Sequence, residues 1–180
     1  PDYIFLPQVK GLAVNNYNGT AATCPLVQGE PYYLRASFAE LQNMQNNDRV
    51  LTPVLDFSDG YQAMQEEFTR LGITLGASSK EAREAYRFAV EQHEKVNAEL
   101  KLWGKEMLKK LEADPQKKAI IIFGRPYNAY SSKANMGIPH KFAARGWLVL
   151  PCDQLPYENE DCQDKMYWAN GQIILRAARL

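Results

Sequence analysis

The pattern of apolar and polar positions is most regular between residues 119 and 153. An apolar run over residues 119–123 ends at Gly124 and predicts a strand buried on both faces. The polar residues 125–132 predict a loop, and a helix is predicted next, with Pro139 in its first turn and Gly146 at its end. A second apolar strand over residues 147–150 stops at Pro151. These elements predict a βαβ unit with two parallel strands.

Ligands of parallel sheets bind beyond the carboxyl ends of the strands. This rule predicts that two loops, residues 125–135 and 152–162, line a cleft. We expect the turn around Cys24 to point into the same cleft, so that one site is shared by distant parts of the chain.

The N-terminal part alternates between short strand and helix patterns. Residues 3–6 predict a strand that ends at Pro7, and residues 8–23 predict a loop. A helix follows with Pro31 in its first turn, and residues 50–57 predict a strand that Pro53 makes an edge strand or a bulged one. Residues 61–71 predict a short helix with Gly72 after it.

The middle of the chain predicts one long helix. Ser78 and Glu81 form a capping box at its start, and Asp114 and Pro115 end the pattern. Its apolar positions repeat every three or four residues and predict a coiled-coil-like seam, with Lys101 and the neighbouring lysines on a solvated face. The seam consists of Ala82, Tyr86, Ala89, His93, Val96, Leu100, Trp103 and Met107.

These elements together predict an α/β fold, a Rossmann-like parallel sheet flanked by helices with one long central helix. We expect residues 1–75 to form the edge of a first α/β lobe, residues 76–116 the long helix, and residues 117–180 a second lobe. The last lobe is predicted to contain an acidic loop over residues 153–163 and a final helix capped by Asp164. Because strand and helix patterns run up to both ends, we expect the chain to be a fragment of a larger protein.

Composition excludes several classes of protein. The chain of 180 residues is 46% hydrophobic and 23% charged, and its formal net charge is zero. These values are typical of a globular protein and argue against nucleic acid or an anionic membrane surface as a partner. Three cysteines do not indicate a disulfide framework, and no apolar run is long enough to span a bilayer. We therefore expect a cytoplasmic protein with reduced thiols.

Two places carry candidate chemistry. Cys24 precedes a predicted helix, where the positive end of the helix dipole stabilises a thiolate, so it is a candidate nucleophile or ligand of a metal cluster; the alternative is a small buried hydrophobe. The spacing of Cys152 and Cys162 does not indicate a zinc site. If the three thiolates meet in space, they are suitable ligands for an iron–sulfur cluster.

The second place is the stretch after the strand at residues 119–123. Arg125, Tyr127 and Asn128 are candidate ligands of a phosphate or a carboxylate, although the stretch is neither a Walker A loop nor a dinucleotide fingerprint. Its alternative is a structural turn in which Arg125 pairs with a carboxylate. His140 in the next helix is a candidate acid–base or binding residue, with a role at the surface or at the helix terminus as its alternative.

Three separated motifs, in order, resemble one family. They are Cys24-Pro25-Leu26-Val27-Gln28-Gly29-Glu30-Pro31, then Gly124-Arg125-Pro126-Tyr127-Asn128 with Asn135-Met136-Gly137-Ile138-Pro139, then Tyr167-Trp168-Ala169-Asn170-Gly171-Gln172. The chain resembles the middle region of the large CoA-substrate-specific enzyme activase-related proteins of anaerobic bacteria, which include activators of 2-hydroxyglutaryl-CoA dehydratase. This region is in turn similar to the iron–sulfur subunits of 2-hydroxyacyl-CoA dehydratases.

The resemblance implies a redox-associated segment that is not itself an ATPase. It implies Cys24 as one ligand of a [4Fe–4S] cluster, with other cysteines supplied from beyond this segment, and it implies as partners the rest of the parent polypeptide and an acyl-CoA dehydratase or its substrate. Cys152 and Cys162 match no cluster motif of the family. Two other functions stay open: a non-redox module that binds acyl-CoA or phosphate, and a structural docking domain that uses the seam of the long helix.

Overall fold

The computed structural model describes residues 2–46 and 48–180. It is an α/β protein in which small parallel sheets are flanked by helices and one helix is much longer than the others, so the predicted fold class is confirmed. The chain forms two compact units. The first contains the described residues up to Gln92 with Tyr167–Ala169, and the second contains His93–Met166 with Asn170–Leu180.

The first unit contains two pairs of parallel strands. Strand β1 (Ile4–Phe5) pairs with β3 (Val50–Leu51), and β2 (Gln8–Gly11) pairs with β4 (Val54–Asp56). Pro7 lies between β1 and β2, and Pro53 lies between β3 and β4. The ladder is interrupted at Pro53 because proline has no N–H to donate to the neighbouring strand, whereas Leu6 and Gln8 on either side of Pro7 still donate across the pair. The interruption at Pro53 was predicted. The prediction of a loop over residues 8–23 was wrong at β2, a four-residue strand in which the polar Gln8 and Lys10 hide the pattern.

The helices of the first unit are α1 (Pro25–Ser37), α2 (Ala39–Gln45), a 3₁₀ turn over Tyr61–Met64 and α3 (Gln65–Thr74). Helix α1 begins one turn and a half earlier than predicted, with Cys24 as its N-cap and Pro25 in its first turn, so Pro31 lies inside it. Helix α3 runs past Gly72. A side chain at this position would collide with the next helix, because a Cβ there would lie 2.5 Å from the Cβ of Ala82. Small residues therefore allow α3 to pack closely on the next helix.

The long helix α4 (Ser79–Glu112) has 34 residues and extends for about 50 Å. Its predicted capping box is present, since the Ser78 hydroxyl donates to Glu81 Oε2 at 2.6 Å and the Glu81 amide donates back to Ser78 Oγ at 3.2 Å. The predicted seam was only partly right. Ala82 and Tyr86 are buried, but Ala89, Val96 and Trp103 are exposed.

The buried positions of α4 depart from the predicted alternation of four- and three-residue steps, because Val90 is buried where Ala89 was expected. In the first unit the buried positions are Ala82, Tyr86 and Val90. In the second unit Gly104 is buried, and Lys101 lies on the packed face with a side chain 21% exposed. The prediction of a solvated Lys101 was therefore wrong.

The second unit contains the predicted βαβ arrangement. Strand β5 (Ala119–Ile122) pairs in parallel with β6 (Leu148–Pro151) over four residues each, and helices α5 (Pro126–Tyr130) and α6 (Ile138–Ala143) connect them. The predicted loop over residues 125–132 was wrong where α5 forms. Burial of β5 on both faces was also wrong, because Ile121 is exposed in this chain.

The core of the second unit includes Leu150 of β6. Buried Leu150, Cys152, Leu155 and Ala177 pack together, with Met107 and Leu108 of α4 against them. Helix α7 (Ala169–Ala177) begins later than predicted, because residues 164–168 form a turn and a bridge before it and Asp164 does not cap it.

Candidate functional site

The turn that carries Cys24 is held in place from both sides. The preceding Thr23 is buried, its hydroxyl donates to the Val9 carbonyl, and its amide donates to the Lys10 carbonyl at 2.8 Å. On the other side, the Cys24 carbonyl accepts the amides of Val27 and Gln28 at 2.9 and 3.1 Å as α1 begins. The backbone of Cys24 is thus fixed at the start of a 13-residue helix, while its side chain is half-buried.

The second candidate place is the edge of the second unit at the carboxyl ends of β5 and β6. Ile122 pairs with Pro151, so the ends of the two strands lie side by side. Gly124 has φ +141°, and its position is crowded by the Asn128 side-chain amide, 2.9 Å from where a Cβ would lie. Both facts favour glycine there.

The residues predicted after β5 form the first turn of α5. Arg125 is half-buried as the N-cap and donates from Nη1 to the Tyr127 hydroxyl at 3.2 Å. The Asn128 amide donates to the Arg125 carbonyl at 2.9 Å. The structure therefore brings Arg125, Tyr127 and Asn128 together, whereas His140 lies on α6 with an exposed side chain.

The prediction missed a second group at the end of β6. The Tyr130 hydroxyl donates to Asp153 Oδ1 at 2.9 Å and accepts from Gln154 Nε2 at 3.2 Å. Asp153 and Gln154 are half-buried, and they follow β6 directly in a 3₁₀ turn over Cys152–Gln154. The position of Asp153 at the end of a predicted strand could have identified it as a site residue. Instead it was grouped with the other acidic residues of the loop over residues 153–163.

Two cationic side chains, Lys101 and Arg176, bind the acidic loop. Lys101 Nζ lies 2.7 Å from Glu158 Oε1, donates to the Leu155 carbonyl at 2.6 Å, and sits 3.4 Å from the centre of the Tyr157 ring. Burial lowers the pKa of Lys101, although the Glu158 and Asp153 carboxylates oppose this. Arg176, buried on α7, donates to the Glu158 and Glu160 carbonyls at 2.6 and 2.8 Å. The segment that carries Asp153 is therefore held by charge-assisted hydrogen bonds.

Tyr130 should titrate unusually late. Partial burial, reinforced by the Asp153 carboxylate, raises the pKa of Tyr130 to about 12, although the residue keeps about half of its surface exposed. Because the unfolded value is about 10, the folded state holds the phenolic proton more tightly, and this stabilisation is lost as the pH rises from about 10 to 12. We expect the tyrosinate absorbance of the native protein, minus that of Tyr130→Phe, to show a transition near pH 12. A difference transition near pH 10 would contradict this environment.

The cysteines do not form a complete cluster site within the described residues. In residues 2–46 and 48–180, no three His, Cys, Asp or Glu side chains are grouped as a metal site requires. Cys152 is buried in the core of the second unit, and burial raises the pKa of its thiol. Half-buried Cys24, at a helix start, fits one ligand position of a cluster, and the donors among the described residues do not fit a whole cluster.

The comparisons with known proteins point to one family. The family model described as a CoA enzyme activase uncharacterised domain (DUF2229) matches residues 1–155, which include the Cys24 turn and the ends of β5 and β6. Residues 156–180, with the motif at Tyr167, lie beyond the match. No curated protein and no solved structure matches significantly. In the part of the chain that the structure describes, no helix is long and apolar enough to cross a membrane.

Proposed function

The chain belongs to this family of CoA enzyme activase domains, and on that premise we propose that it is a non-ATPase segment of a redox activase of the 2-hydroxyglutaryl-CoA dehydratase activator type. In this proposal the chain contributes Cys24 as one ligand of a [4Fe–4S] cluster, and the other ligands come from outside it. The cluster, when bound, supplies one-electron transfer. This chain's own residues hold the thiolate in position.

The observation that carries the proposal is the geometry of the Cys24 turn. A cluster ligand must be accessible to iron and must be a thiolate. Cys24 is half-buried at the start of α1, its backbone is fixed by Thr23 and Gln28, and the helix dipole there favours a negative charge. Cys152 is the opposite case, because it packs in the core and burial raises the pKa of its thiol.

The test is anaerobic reconstitution of the full-length parent protein with iron and sulfide. We expect Cys24→Ala to lose most of the charge-transfer absorption and bound iron, because a cluster that lacks one of its thiolate ligands is held weakly. Cys162→Ala is the matched control, since it removes another half-buried thiol and should keep the cluster. Unchanged iron content in Cys24→Ala, with the fold intact by circular dichroism, would reject the proposal.

A second candidate function is the binding of an anionic small molecule, such as acyl-CoA or phosphate, at the start of α5. The observation that favours it is the half-buried Arg125 guanidinium beside Tyr127 at the carboxyl end of a parallel strand. Arginine binds phosphate through parallel hydrogen bonds. Calorimetry with coenzyme A should then show weaker binding to Arg125→Ala than to wild type, and equal heats for both proteins would eliminate this candidate.

A further inference from the structure

The group formed by Tyr130, Asp153 and Gln154 is not explained by either function above. It lies at the carboxyl ends of two adjacent parallel strands, where open α/β sheets bind ligands. Asp153 is separated from β6 by a single residue, and Ile122 at the end of β5 pairs with Pro151 at the end of β6. The carboxylate therefore sits at the end of one strand, beside the turn that ends its neighbour.

The carboxylate retains capacity for a ligand. An ionised carboxylate accepts about four hydrogen bonds, and the Tyr130 hydroxyl takes one position on Oδ1. The Gln154 amide orients the Tyr130 hydroxyl, and Tyr130 is 52% exposed as a residue, so the group is ordered and reachable from solvent. A carboxylate arranged in this way prefers a hydroxyl donor to a second anion.

The order of elements suggests which hydroxyl. In dinucleotide-binding folds, a glycine turn follows one strand, and an acidic residue near the end of the next strand accepts a hydrogen bond from the ribose. Here Gly124 follows β5, and Asp153 follows the adjacent parallel strand β6. The chain lacks the glycine fingerprint, so the resemblance is limited to the position of the acidic residue and implies nothing about how phosphates are bound.

We propose that Asp153, positioned by Tyr130, accepts a hydrogen bond from the ribose 2′-hydroxyl of a nucleotide, for which adenosine nucleotides serve as the probe. The nucleotide is either free or the adenosine end of a coenzyme A molecule, and both sources present that hydroxyl. The proposal goes beyond the redox function, because it involves neither Cys24 nor a cluster. It also differs from the anion site, because it concerns a hydroxyl donor and not a phosphate.

The test compares two ligands that differ in one hydroxyl. Calorimetry on the protein with adenosine 5′-phosphate and its 2′-deoxy analogue should show about tenfold tighter binding of the ribose form, as expected for one hydrogen bond to a charged acceptor. In Asp153→Asn this preference should fall to twofold or less. Asp164→Asn removes the same charge from an exposed position of the same unit and should keep the preference.

Two further arms separate the possible sources and the possible failures. Adenosine 3′,5′-bisphosphate binding more tightly than the 5′-phosphate would support coenzyme A as the source, and the reverse order would support a free nucleotide. Equal binding of the ribose and deoxyribose forms, no binding of either, or an unchanged preference in Asp153→Asn would overturn the proposal. If wild type prefers the ribose form and Arg125→Ala binds neither nucleotide, the result would support both the anion site at Arg125 and the hydroxyl contact at Asp153.

Discussion

Replacing Arg176 with alanine is expected to lower the free energy of unfolding by about 3–5 kcal/mol. Arg176 is 1% exposed, and its guanidinium donates to the backbone carbonyls of Glu158 and Glu160 and lies 5.6 Å from the centre of the Tyr157 ring. Each hydrogen bond from a charged donor contributes about 1.5–3 kcal/mol, and the substitution leaves both carbonyls without this donor. Urea unfolding followed by circular dichroism measures the loss.

Arg179→Ala is the control for this prediction. Arg179 is exposed on the next part of the chain and also donates to a backbone carbonyl, that of Asp161. Because its hydrogen bonds are made at the surface, its removal should cost less than about 1 kcal/mol. If Arg176→Ala were as mild as Arg179→Ala, the acidic loop would not depend on a buried cation.

The second large effect is expected from Gly104→Ala in α4. A Cβ at this position would lie 2.0 Å from the Gln154 carbonyl oxygen and 2.8 Å from its carbon, so either the helix or the turn after β6 must move. Alanine improves helix propensity by about 1 kcal/mol, but overpacking against backbone costs more, and we expect a net loss of about 1–3 kcal/mol. Thermal unfolding of the purified variant checks this value.

Gly29→Ala in α1 provides the opposite case. A Cβ there meets only the Tyr33 side chain, at an ordinary contact distance of 3.8 Å, so alanine should stabilise the protein by about 0.5–1 kcal/mol. The same substitution should thus have opposite signs in two helices. A stabilising Gly104→Ala would mean that α4 does not lie as close to Gln154 as described.

Much of the fold could be predicted because local patterns agreed with the packing. The apolar runs at β5 and β6, the glycine at residue 146 and the capping box at Ser78 each act over a few residues, and the structure contains them all. Errors arose where tertiary contacts decide. Lys101 was expected in solvent, but its long apolar stem reaches across the packed face and carries the charge to Glu158.

The candidate site was predictable only in part for the same reason. The location at the carboxyl ends of two parallel strands follows from the βαβ pattern, and Arg125, Tyr127 and Asn128 lie there. The partnership of Tyr130 with Asp153 joins residues 23 positions apart in the sequence, and no periodicity connects them. Hydrogen bonds between side chains of distant residues depend on the completed fold, so sequence patterns do not reveal them.

The two prolines of the first unit have a consequence for how this protein behaves at high concentration. Pro7 and Pro53 interrupt neighbouring strands at the same level, since the Gln8 amide donates to the Pro53 carbonyl at 2.8 Å. A foreign strand laid along the outer edge of β1 and β2 would meet a missing donor at Pro7, and the Lys10 carbonyl already accepts the Thr23 amide at 2.8 Å. The short, broken ladders thus act against fibrillar stacking.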